Sequence, residues 1–144
     1  MYKNILLPTD GTEFCQKAVA HGVELAKLAG AKVTGVTVAV PMRRMIAASL
    51  SAELLDSVKA SHRVALTKAL GFVEASAKAA GVTCETIEIQ DEHPYRGIIN
   101  AAEKKGCDLI VMASHGQRGL AAVIVGSETQ KVVTHTDIPV LIYR

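Results

Sequence analysis

Two segments about a hundred residues apart carry the chemistry legible in this sequence: Pro8-Thr9-Asp10-Gly11, and Ala113-Ser114-His115-Gly116 with its continuation to Gly126-Ser127. In the second, Gly116, Gly119 and Gly126 let the backbone approach a ligand with no Cβ in the way. Ser127 then opens a helical pattern, whose free N–H groups and dipole form a natural anion site. The dipole alone contributes roughly 0.3–1 kcal/mol, and about 2 when partly buried. That is too little to hold a phosphate, so several N–H groups and a hydroxyl must converge. Arg118 adds charge-assisted bonds from the rim. The same residues admit a purely local reading. Ser127-Glu128-Thr129-Gln130 matches a capping box, in which Ser127 serves its own helix and Gln130 reaches back. The residues of the loop leave both readings open.

The remaining polar residues are less specific. A lone carboxylate such as Asp10, just after a strand, is more often a cap or a polar contact to a ligand than a metal ligand. Mg²⁺ commonly keeps its waters and binds through phosphates. His115 either donates to a phosphate or fixes its turn. His21, His62, His93 and His135 lack the spacing of a metal site or a triad, so no metal-ligating residue is assigned. Cys15 lies in a first helical turn, where a thiol pKa can fall. The better reading for Cys15, Cys84 and Cys107 is a small buried hydrophobe. Met42-Arg43-Arg44-Met45 reads as a solvated loop, with closure over a ligand as the alternative. Neither GxxxxGK[ST] nor GxGxxG occurs, so the lysine clamp of P-loop enzymes and a dinucleotide fingerprint are both missing.

These segments are positioned by alternating strands and helices. Ile5-Leu6-Leu7, stopped by Pro8, reads as a buried strand, and Asp10 or Thr12 caps a helix from Glu13 to about Ala29 that Gly30 closes. Lys32 to Val40 is a β-branched second strand. A long helix with Leu54, Leu55, Val58, Val64, Leu66, Ala69, Leu70 and Val73 at helical spacing ends at Gly81. Val82 to Gln90 alternates as a third strand, and Pro94 sits just inside a helix of about Tyr95 to Lys105. Leu109 to Met112 is a fourth strand, Ser127 to His135 a last helix and Val140 to Tyr143 a last strand. The pattern predicts one domain over residues 1–144, of α/β class: an open, doubly wound, five-stranded parallel sheet with helices on both faces. In the common order 3-2-1-4-5 the first and fourth strands are neighbours, and ligands bind outside their carboxyl ends.

Composition narrows the class. Of 144 residues, 49% are hydrophobic and 21% charged, which suits a packed core. Aromatics make up 3% with no Trp, so the core is aliphatic and a flavin site has no walls. The net charge of +2 is spread along the chain, against a nucleic-acid-binding surface. Three cysteines without CxxC spacing suit the cytosol. No signal peptide or transmembrane stretch is legible, so a cytoplasmic protein without membrane association is expected.

The residues resemble the universal stress protein family. Its nucleotide-binding members carry a glycine, two residues, a glycine, nine residues, then glycine followed by Ser or Thr. Here Gly116 is followed by nine residues and Gly126-Ser127, while Ala113 replaces the first glycine. YKNILLPTDGT, His115-Gly116 and THTDIPVLIYR carry the likeness across essentially the whole chain. The resemblance implies a fold that is usually dimeric, and ATP binding in one subset of the family. Carried over by position, Pro8, Thr9 and Asp10 would face the adenosine part and Val38 would pack on adenine. Ala113 and Gly116 would lie along ribose and phosphates. Gly126, Ser127, Glu128 and Thr129 would hold the phosphates, Glu128 through its backbone N–H. His115, Gln117 and Arg118 complete the candidate set.

The expected function is a stress-response regulator that binds ATP, with Mg²⁺, in the switch-point crevice. No catalytic residue is assigned; at most a slow ATPase is expected, with Asp10 or His115 orienting water. The competing reading is a dimeric scaffold with no nucleotide, acting through a protein partner the sequence does not identify. In either case the last strand is an edge. Apolar and unpaired, it predicts a homodimer through Val140 to Tyr143.

Overall fold

An apolar run without alternation has to be covered from both sides, and Asn4–Pro8 (β1) is buried at every position. The computed structural model describes residues 1–41, 51–115 and 125–144. After β1 follow α1 (Glu13–Ala29), β2 (Lys32–Ala39), α2 (Ala52–Ala80), β3 (Cys84–Gln90), α3 (Pro94–Lys105), β4 (Leu109–Ala113), α4 (Ser127–His135) and β5 (Val140–Tyr143). The described residues form a five-stranded sheet in the order β3-β2-β1-β4-β5. Each neighbouring pair is parallel, with Ile5 opposite Leu109 and Leu6 opposite Ile110 where β1 meets β4. The expected fold class and strand order are the observed ones.

Alternate residues of the strands divide the core in two. Ile5, Leu7 and Val33 pack with Val19, Val23, Val73 and Ala77 of α1 and α2. Leu6, Val36 and Ile110 face Ile98, Ala101, Ala102 and Val132 of α3 and α4. Helix α1 presents Cys15, Ala18, Val19, Gly22, Val23 and Ala26 inward, a stripe at helical spacing. It approaches so closely that a Cβ on Gly22 would stand 2.3 Å from Cδ2 of Leu7. Helix α2 differs: its buried residues are Leu66, Ala69, Val73 and Ala77, so its first half stands clear of the core.

Helix ends follow the expected chemistry. Thr12, rather than Asp10, is the N-cap of α1, accepting from the Cys15 N–H. Gly30, Gly81 and Gly106 close α1, α2 and α3 in the left-handed conformation. Val82, expected to begin the third strand, instead donates its N–H to the Ala77 carbonyl and completes the α2 closure at 2.9 Å. β3 therefore starts at Cys84. Among the described residues, no helix is long and apolar enough to cross a membrane.

Candidate functional site

β1 and β4 are neighbours while α1 and α4 pack on opposite faces, so the carboxyl ends of these two strands form the switch point of the sheet, where the ligand crevice is expected. Pro8 ends β1 and is buried. Thr9 is also buried; its N–H donates to the Val36 carbonyl and its hydroxyl accepts from Gly11 N–H at 3.1 Å. Gly11 has φ +82°, a conformation costly for a residue with a Cβ. Asp10 Oδ1 accepts from Thr12 N–H at 2.9 Å, so this carboxylate helps to shape the entry to α1.

Burial pushes the Cys15 thiol up to about 11, reinforced by the negative charge of Asp10. The helix start therefore does not activate it, and the reading as a buried small hydrophobe holds; Cys84 and Cys107 are also raised, chiefly by burial. Alkylation of Cys15 in the folded protein at pH 8 is expected to run about a hundredfold slower than for a free thiol, from thiolate fraction alone. Mass spectrometry of timed iodoacetamide reactions measures this.

On the other side of the crevice, hydrogen bonds tie the end of β4 to the start of α4. Gly126 N–H donates to the Ser114 carbonyl at 2.6 Å, and the Thr129 hydroxyl donates to the Ala113 carbonyl at 3.0 Å. The Ser114 hydroxyl pairs with His115 Nδ1 at 2.8 Å, and the His115 ring lies 6.3 Å from that of Phe14 on α1. Gly126 has an ordinary φ of −66° and is the N-cap of α4 without a side-chain cap bond. A Cβ there would lie 3.0 Å from the Ser114 carbonyl oxygen. A side chain at this position would therefore crowd the end of β4, whatever is bound nearby.

Ser127 is the first residue of α4 and is exposed. It is therefore not the N-cap of a capping box; Gln130 does reach back, but to the Val125 carbonyl at 3.2 Å. The first intrahelical bond runs from Gln130 N–H to the Gly126 carbonyl. Ser127, Glu128 and Thr129 consequently present three successive N–H groups with no intrahelical acceptor, beside the Ser127 hydroxyl. Donors so arranged can receive an anion.

The side chains around it are partly committed elsewhere. Glu128 Oε2 accepts from Tyr95 N–H at 2.9 Å, and Oε1 pairs with Lys131 at 3.1 Å. Its carboxylate serves the start of α3, where the N-cap His93 makes no side-chain cap bond. Glu128→Ala is expected to lower stability by about 1 kcal/mol, in the range of lost helix caps, as read from urea denaturation. The methyl of Ala113 packs with Cys15, Ala18 and Tyr143, so the residue that replaces the family's glycine is absorbed by the α1 contact. Val38 presses both its methyls on α3, where a Cβ on Gly97 would be 2.8 Å away, and is only half-buried.

Pro8, Thr9, Asp10, Ala113, His115, Gly126, Ser127, Glu128 and Thr129 thus lie on the two strand ends and helix starts that border the crevice, and Val38 lies near the end of the next strand. Gly116, Gln117 and Arg118, with Gly119 and the Met42–Met45 stretch, lie outside the described residues. Sequence reading passed over Ser114, whose N–H, carbonyl and hydroxyl all bind neighbours. Its only signal was its place just before His115-Gly116. A small hollow of about 140 Å³ beside Asp10 is lined by Gly11, Gln16, Ala65, Lys68 and Ala69.

Comparison with known proteins agrees with this architecture. The chain matches the Universal stress protein family over residues 1–144. It is 34% identical over 146 residues to universal stress protein MJ0531 of Methanocaldococcus jannaschii, covering 100% of this chain and 83% of that one. Among solved structures it is similar to MJ0577 of the same organism, at 26% identity and TM-score 0.77, covering 99% and 95% of the two chains. A universal stress protein of Archaeoglobus fulgidus, solved in complex with dAMP, shares the fold at TM-score 0.72 and 16% identity over 99% and 98%. The chain belongs to the universal stress protein family.

Proposed function

We propose that this protein is a stress-response regulator that binds ATP, with Mg²⁺, in the crevice between the carboxyl ends of β1 and β4, residues 1–144 acting as one nucleotide-binding domain. The observation that supports this most is the first turn of α4, which opens on the exposed Ser127 and sets the N–H groups of Ser127, Glu128 and Thr129 and the Ser127 hydroxyl together at the switch point. These are the donors a polyphosphate needs. The Glu128 carboxylate, which would repel it, is held by α3 and Lys131. That a protein of this fold has been solved with dAMP is in keeping with an adenine nucleotide.

In this reading Pro8, Thr9, Asp10 and Val38 border the adenosine, and Ala113, His115, Gly116, Gln117 and Arg118 line the path to the phosphates. Asp10 Oδ1 and His115 Nδ1 already have protein partners, which favours binding over rapid turnover. The protein works as a cytoplasmic homodimer joined through β5. Calorimetric titration of the nucleotide-stripped protein with Mg·ATP tests the reading. A Kd tighter than about 1 mM, near −4 kcal/mol, is expected. Absence of both heat and thermal stabilisation at several millimolar ATP would replace it with a scaffold that acts without nucleotide.

A further inference from the structure

A second hollow, of about 490 Å³, opens beyond the carboxyl ends of β2 and β3. This size is within the range of small-molecule sites. Lys59, His62 and Arg63 form one wall, spaced so that all three share one face of the part of α2 that stands clear of the core. Residues 39–41 and Leu66 supply an apolar floor, and Glu88 and Gln90 of β3 stand opposite. Arg63 bridges to Glu88 across the hollow. The side chains of Lys59 and His62 make no hydrogen bond or ion pair with any described residue. The Thr37 hydroxyl, buried and without a partner among the described residues, lies one alternation inward of Ala39 and opposite Glu88 in register.

We propose that this hollow is a second binding site, for a small organic anion with an apolar body and one carboxylate or phosphate. An ordinary solvated helix face would place its cations over open water. Here the Lys59 ammonium has no described counter-charge, and it stands with the His62 ring over an apolar floor bordered on the far side by a strand. The anionic head lies between Lys59, whose ammonium matches its charge, and His62, whose ring can donate an N–H to it. The body covers Leu66 and residues 39–41, and Gln90 offers both a donor and an acceptor to a polar edge.

Proton NMR of the His62 Cε1–H, assigned by its loss in His62→Gln, tests this with benzoate and phenyl phosphate as probes. A saturable shift with a Kd in the low-millimolar range is expected, and whichever probe binds more tightly identifies the head group as carboxylate or phosphate. The exposed double substitution Lys59→Glu with Arg63→Glu is expected to weaken binding at least about tenfold. Ser127→Glu leaves the shift intact, which separates this site from the nucleotide crevice. No His62 shift with either probe at tens of millimolar, or the same shift in the double variant, overturns the proposal.

Discussion

Ser127→Glu is expected to weaken Mg·ATP binding by more than about a hundredfold while leaving the melting temperature unchanged or slightly raised. The two effects have opposite signs for a physical reason. A glutamate in the first turn of α4 faces the positive end of the helix dipole, a gain of roughly 0.3–1 kcal/mol. The same charge removes the hydroxyl donor, a loss of about 1.5–3 kcal/mol where the acceptor is ionised. It also opposes the phosphates at close range, where two unit charges about 4 Å apart interact by about 4 kcal/mol at an effective dielectric of 20. Calorimetry and thermal denaturation on the same sample read both. Unchanged affinity in the variant would mean that α4 does not hold the phosphates. Gly126→Ala is a poorer probe, because its Cβ would crowd the Ser114 carbonyl oxygen at 3.0 Å and lower affinity and stability together.

Leu141→Lys is expected to convert a dimer of twice 15.2 kDa into a monomer, as measured by light scattering after size exclusion. β5 is bonded to β4 along one side and pairs with no strand on the other among the described residues. The opposite edge, β3, carries Glu85 and Glu88, each in an ion pair, and such charges protect an edge. β5 has no charged residue between Val140 and Tyr143, and Leu141 is 42% exposed. Leu141 is the cleaner position because Val140 already packs against the cluster beneath α3 and α4, so charging Val140 would also disturb the protomer. Burying the exposed 42% of two leucines contributes about 1.3–2.5 kcal/mol, roughly tenfold or more in Kd, and two unpaired lysine charges at the seam oppose association further. A wild-type mass of 15.2 kDa, or a variant that keeps the wild-type dimer mass, would rule out pairing through β5.

Element order was legible in the sequence because each element carries its own local signal. Pro8 stops β1, Gly30, Gly81 and Gly106 close three helices, and apolar residues recur at helical or strand spacing between them. The switch point followed too, since the parallel order 3-2-1-4-5 brings the ends of β1 and β4 together whatever their side chains. What individual residues do there was decided by contacts across the chain. Sequence placed Glu128 next to phosphates but could not show that its carboxylate reaches Tyr95, 33 residues away. It could not tell whether the Ala113 methyl faces the crevice or α1, nor that a side chain in place of Gly126 would crowd the Ser114 carbonyl. Nor did the histidine spacing reveal that His62 shares a hollow with Glu88 of β3. Periodicity fixes which face a residue occupies relative to its own helix or strand. Its partner is set only when two such faces pack, and that depends on side-chain volumes and backbone approach distances that no local pattern encodes.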